Sequence, residues 1–204
     1  MNPKLLIPIL IAVLAASPLC AGEPGHACCA ADSSTVASAP ISDRSIYQLD
    51  ATWTNDAGES VDLAMLRGRP VVLAMFFASC EYACPLIVSD MERIRDALPA
   101  TVRAQTQFVL VSFDSKRDLP AALKAYRARM QLPTANWTLL HGAPDEVQEL
   151  AMLLGVKYRQ DARGQYSHSN LITVLNLKGE IVHQRAGLQG EVASAVRAVA
   201  LASR

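Results

Sequence analysis

Apolar positions along the chain recur with two periods. The run from Val71 to Phe77 is continuously apolar, starts just after Gly68-Arg69-Pro70, and is too short for a helix. It predicts a strand buried on both faces, and Gln107 to Phe113 predicts a second one. Between them Leu86, Ile87, Met91, Ile94 and Leu98 recur at helical spacing, with Pro85 at the first helical position and Pro99 past the end. Further helices are predicted over 119–131, over 144–154 closed by Gly155, and over 190–203, with a short strand at 136–142. Two hairpins complete the pattern. One turns at Asp56-Ala57-Gly58, and the other turns at Lys178-Gly179 between the runs 171–177 and 180–186.

The order is therefore hairpin, β, α, β, α, β, α, β, β, α. Alternating β and α units build a parallel sheet core, and the late hairpin adds antiparallel strands. The fold expected is an α/β thioredoxin-like sandwich, with a central mixed sheet, an N-terminal hairpin and flanking helices. It occupies residues 41–204. Ahead of it, residues 23–40 are rich in Ala, Ser, Gly and Pro and read as a flexible leader. Residues 1–22 carry Lys4, the apolar stretch "LLIPILIAVLAA" and small residues with helix breakers. That is the pattern of a secretory signal, cleaved near Ala21 or Gly22 or retained as an anchor that associates the protein with a membrane. Cys20 would suit lipidation, but Pro18-Leu19 before it departs from the small residues such processing prefers. The expected location is periplasmic or otherwise extracytoplasmic, where thiol pairs oxidise unless a metal or reductant holds them.

Charge narrows the function by exclusion. The 204 residues contain 19 basic and 19 acidic side chains, which gives no electrostatic reason for nucleic acid as a partner. The five cysteines stand at 20, 28, 29, 80 and 84, clustered rather than spread as a disulfide framework would be. Only four histidines, His26, His141, His168 and His183, are available to join them.

Cys80 and Cys84 lie just past the first buried strand, at the start of a helix. Ligands of open α/β sheets gather at this edge, the carboxyl ends of parallel strands. A helix N-terminus stabilises thiolate over thiol, so both sulfurs are expected to be anionic, ready for a soft metal or for disulfide exchange. Copper(I) favours sulfur at low coordination number and accepts imidazole as a further ligand. His183 lies mid-strand and suits a surface role, His26 is in the leader, and His141 at a strand end stays eligible. His168 precedes a strand antiparallel to the core, which places it beside the cysteine turn, with Tyr166 and Asn170 near enough to orient it. Redox members of the fold carry a cis-proline at this point, whereas this chain reads "YSHSNL". Asp114 and Asp118 either cap the helix that starts near Leu119 or turn their charge toward the site or a partner. In the leader, "GHACCA" offers His26, Cys28 and Cys29 as an auxiliary metal or redox site.

From Tyr47 to the C-terminus the chain resembles the Sco/SenC copper proteins of cytochrome c oxidase assembly. The resemblance rests on "DAGESVDLAMLRGRPVVLAMFFASCEYACP", "VSFDSKRDLP" and "SHSNLITVLNLKGEIV". The family's Cys-x-x-x-Cys-Pro motif falls on Cys80, Cys84 and Pro85, its aspartates on Asp114 and Asp118, and its histidine on His168. Glu81 stands where the family often has proline, and Ser115 and Leu119 depart from its aspartate segment. The resemblance implies one copper ion, Cu(I) or Cu(II), held by Cys80, Cys84 and His168. It also implies delivery of that ion to the CuA centre of oxidase subunit II, or reduction of that centre's cysteines. Such a protein is a carrier rather than an enzyme. The alternatives are an extracytoplasmic thiol–disulfide oxidoreductase using Cys80 and Cys84, and a copper or redox sensor.

Overall fold

The computed structural model describes residues 41–204. Trp53–Asn55 (β1) and Ser60–Val61 (β2) pair antiparallel. Asn55 makes the turn between them: its Oδ1 accepts from the backbone N–H groups of Ala57 and Glu59, both at 2.9 Å. An Asn side chain bonding two residues on is the local chemistry that starts such turns.

Val71–Phe76 (β3) leads into Ala83–Ala97 (α1). The helix begins two residues earlier than the proline predicted, so Pro85 sits in its first turn rather than at its first position. Proline is accepted there because the N–H it lacks would find no partner within the helix. Leu98 and Pro99 end α1, but the chain then forms a second short helix, Ala100–Gln105 (α2), which the hydrophobic pattern did not announce because none of its residues is buried. Gln107–Ser112 (β4), Pro120–Met130 (α3), Trp137–His141 (β5) and Pro144–Leu154 (α4) follow as the pattern predicts.

After α4 the structure departs from expectation. Tyr158–Gln160 (β6) and Tyr166–His168 (β7) form a two-stranded hairpin of their own, detached from the main sheet. Leu171–Leu175 (β8), Ile181–Ala186 (β9) and Ala193–Ala202 (α5) then complete the domain.

The main sheet has the order β2-β1-β5-β4-β3-β8-β9. Its centre, β5-β4-β3, is parallel, and every other pairing is antiparallel. β3 and β4 are buried at every residue, so their alternate side chains enter layers on both faces of the sheet. Helices α1 and α5 pack on each other and over β3, β8 and β9, and α3 covers β5 and β1. This is a mixed α/β sandwich of the thioredoxin-like kind.

The β8–β9 turn is locked to the start of the domain. Gly179 has φ +80°, and a Cβ there would fall 2.4 Å from the Tyr47 ring. Only glycine combines that backbone with so close an approach. The other end of the sheet is tied by Arg127 of α3, which forms a two-pronged ion pair with Asp56 at 2.5 and 2.7 Å and also donates to the Trp137 carbonyl.

Candidate metal centre

Two sheet edges meet at the cysteines. β3 and β4 run parallel and in register to Phe76 and Ser112, so the segments after them, Phe77–Cys80 and Phe113–Asp118, leave the sheet side by side. β8 runs the other way, with Ile172 opposite Ala74, which delivers the residues before it to the same edge. His168 arrives there at the end of β7. The expectation for its position holds, although it reaches the edge on a separate hairpin.

Cys80 lies at the mouth of α1. Its Sγ accepts the backbone N–H of Cys84 at 3.2 Å, and the N–H groups of Tyr82 and Ala83 also stabilise it. The Cys84 thiol is the largest influence, and together these donors bring the Cys80 thiol down to about 5, against desolvation that opposes them. Cys84 goes the other way: donation to Cys80, burial and the neighbouring negative charge push its thiol far up. The expectation of two thiolates is therefore corrected. The pair shares one proton, carried by Cys84, because two buried sulfurs in contact cannot both be ionised without a cation between them.

His168 Nε2 stands 3.8 Å from Cys84 Sγ, and Nδ1 faces the Ser169 carbonyl at 3.2 Å. A carbonyl only accepts, so Nδ1 carries the proton and the Nε2 lone pair points at the thiols. The ring lies between Phe113, at 5.0 Å, and Phe77, edge-on at 6.0 Å. The sequence assigned its orientation to Tyr166 and Asn170. Instead, Ser169 and the two phenylalanines provide it, and Tyr166 acts one layer out by packing against both rings at 5.3 and 5.0 Å.

One donor atom from each of Cys80, Cys84 and His168 lies within 4.8 Å of the others, and these residues form the only such group among those described. Ligand bonds of about 2.0–2.3 Å to one ion place donors ~4 Å apart, so the group needs only slight contraction to close. Two sulfurs and one imidazole suit copper, and hard oxygen-seeking cations find no carboxylate among these donors. The group opens onto a groove of about 580 Å³ that Glu81, Tyr82, Gln165 and Tyr166 help to line.

Asp114 and Asp118 are buried and turn inward. Neither caps α3, whose first residues lack a side-chain cap, and the charge of Asp118 bears on the Cys84 thiol. Asp118 accepts from the Ala78 N–H at 2.7 Å and the Ser112 hydroxyl at 2.6 Å, which pins the loop that carries Cys80. Burial raises its carboxyl above the usual range despite those bonds. Asp114 pairs with Arg117. Arg129 donates to the Ala78 carbonyl at 2.6 Å, so the same residue is held from both sides. His141 ends β5 outside the donor group, and His183 sits beside Ser194 on β9. His26, Cys28, Cys29 and the signal at residues 1–22 lie outside the described residues. Among the described residues no helix is long and apolar enough to cross a membrane.

A thioredoxin-like sandwich with a Cys-Cys-His group at its parallel-strand edge defines a class of small domain able to hold one soft metal ion. Comparison with known proteins narrows the class. The SCO1/SenC family pattern matches residues 42–201, and the chain belongs to that family. A protein of Stutzerimonas stutzeri, named for copper binding, is 33% identical over 152 residues, which is 72% of each chain. Among solved structures, a SCO1/SenC family lipoprotein of Bacillus anthracis superposes with a TM-score of 0.68 at 21% identity, over 75% of this chain and 92% of its own. Bradyrhizobium japonicum ScoI with copper bound gives 0.60 at 20% identity, over 74% and 96%.

Proposed function

We propose that this protein is an extracytoplasmic copper carrier, which holds one copper ion through Cys80, Cys84 and His168 and passes it to the CuA centre of cytochrome c oxidase subunit II. The observation that carries the reading is the convergence of the three donor atoms within 4.8 Å, reached from three different segments of chain. Family membership and the copper-bound relative support it. Export by the segment 1–22 places the carrier on the side of the membrane where such an acceptor matures.

The residues divide the work. Cys80 is ionised before an ion arrives and makes the first contact. Cys84 gives up its proton on binding, and His168 offers a lone pair that its Nδ1 bond to Ser169 has already aimed. Two thiolates and an imidazole favour copper(I) and leave the site open on the groove side, where an acceptor's own thiolates can displace these ligands one at a time. Tyr82, three-quarters exposed beside Cys80, is the contact surface for that acceptor.

One observation favours a second reading, thiol–disulfide reduction. An ionised Cys80 beside a protonated Cys84 is the arrangement of an attacking and a resolving thiol. Cys80 would attack one sulfur of an acceptor disulfide and expel the other as a thiolate. Cys84 would then displace the acceptor and leave it as a dithiol, with two electrons transferred and a Cys80–Cys84 disulfide formed.

Mixing the copper(I)-loaded protein with an isolated, reduced CuA domain separates the readings. A carrier transfers copper to the domain stoichiometrically and retains none. A reductase leaves copper where it was but reduces an oxidised CuA domain while free of metal. Neither result in either assay contradicts both.

A further inference from the structure

We infer that Arg117 is a positioning residue for His168, holding the β6–β7 hairpin against the loop that follows β4. The inference rests on His168 being a copper ligand. Its starting point is a weakness of the fold. His168 stands at the end of a hairpin of two three-residue strands that does not join the main sheet. A two-stranded ribbon that short is only marginally stable alone, so an outside contact has to fix where its last residue falls.

Arg117 supplies one such contact, beside the packing of Tyr158 and Tyr166 on Phe113. Its Nη2 donates to the Gly164 carbonyl at the hairpin turn, at 2.6 Å. Its guanidinium lies over the Tyr166 ring, 5.7 Å from the centroid. The same guanidinium pairs with Asp114, which is buried and accepts from the Arg117 backbone N–H as well. One side chain thus links a rigid anchor beside β4 to both the turn and the third-last residue of the hairpin strand that ends in His168. Tyr166 passes the constraint inward, because it packs on Phe77 and Phe113, the rings that flank the imidazole.

The chemistry of the contact explains the residue type. A planar fork reaches an aspartate and a carbonyl at once while stacking on an aromatic face, and a lysine ammonium does only one of these well. Gly164 completes the fit. It has φ +76°, a backbone conformation other residues rarely adopt, at the turn whose carbonyl accepts from Arg117. The loop that pins the Cys80 segment through Asp118 therefore also pins the His168 hairpin through Arg117. Five residues of chain set the spacing between the thiols and the imidazole.

The test is a double-mutant cycle read by copper(I) affinity under a competing chelator, with wild type, Arg117→Ala, His168→Ala and the double variant. Partners that orient a ligand typically change metal affinity by about 10–100-fold. Arg117→Ala is expected to weaken binding about tenfold, Arg117→Lys to recover part of the loss, and the double variant to bind no worse than His168→Ala. In the metal-free protein, the His168 ring-proton NMR signals, displaced by the Phe113 and Phe77 rings, are expected to move toward free-histidine positions in Arg117→Ala. Unchanged affinity and unchanged ring signals in Arg117→Ala, with His168→Ala weakened, overturn the inference alone. Additive losses in the double variant also overturn it, since they assign Arg117 to the thiols. Unchanged affinity in His168→Ala overturns the three-donor reading beneath it.

Discussion

At the scale of single residues, the two sulfurs are chemically unlike although both are cysteines. Cys80 faces the first N–H groups of α1 and a thiol donor, while Cys84 is wholly buried and supplies that donor. Only the thiolate reacts with alkylating reagents. The rate of Cys80 alkylation by iodoacetamide is therefore expected to rise with pH around a midpoint near 5, with Cys84 unmodified in the same samples. A midpoint at about 8.5, the ordinary cysteine value, contradicts this account. Metal uptake carries the same signature. At neutral pH the proton of Cys84 has to leave for the ion to bind, so copper(I) affinity should climb about tenfold per pH unit. Competition titrations between pH 7 and 8 measure that slope.

At the scale of elements, the domain is held by a few ties between segments distant in sequence. The Asp56–Arg127 pair joins the β1–β2 turn to α3, and both side chains are nearly covered. The guanidinium bonds hold the Asp56 carboxyl below its usual range. A group whose folded-state value is lowered contributes stability above its unfolded value, about 3.9, and that contribution disappears as pH falls through the folded value. Asp56→Asn is thus expected to be less stable than wild type by about 1–3 kcal/mol at pH 7, with the gap narrowing as acid protonates the Asp56 carboxylate. Urea melts at neutral pH and in acid check it.

The same scale shows how much the chain disclosed in advance. Val71 to Phe77 and Gln107 to Phe113 read as buried strands because both faces of β3 and β4 are covered, and apolar runs this short, bounded by turn residues, suit such strands. Cys80, Cys84 and His168 were legible as a group because sheet topology sends all three to one edge. The β6–β7 hairpin was not legible from apolar periodicity, since none of its strand residues is fully buried. Its signal was the turn chemistry of Asp161 and Gly164, where the Asp161 carboxylate accepts from two backbone N–H groups and Gly164 takes φ +76°. The proton on Cys84 was equally beyond reach, because it depends on how close two sulfurs lie after folding. For Asp118, spacing leaves a helix cap and a charge turned toward the site or a partner both open, and does not show that its carboxylate turns back to Ala78 and Ser112.

At the scale of the whole molecule, the proposed binding and transfer would use different surfaces of one site. The donor atoms are largely enclosed, whereas Tyr82 projects from the groove rim with three-quarters of its surface open. Exposed aromatics beside a cleft serve as anchors at interfaces. Tyr82→Ala is therefore expected to slow copper transfer to a CuA domain by about tenfold or more while leaving chelator-measured affinity within about twofold of wild type. Stopped-flow transfer kinetics and equilibrium titration read the two quantities separately, and a loss confined to affinity would reassign Tyr82 to the metal site.

The proposed site stands on three atoms sharing one ion. X-ray absorption at the copper edge of the reduced, copper(I)-loaded protein measures that sharing directly. The expected first shell is two sulfurs and one nitrogen, with the nitrogen lost in His168→Ala and one sulfur lost in Cys84→Ser. A shell of sulfurs alone, or one that His168→Ala leaves intact, contradicts the site described for Cys80, Cys84 and His168.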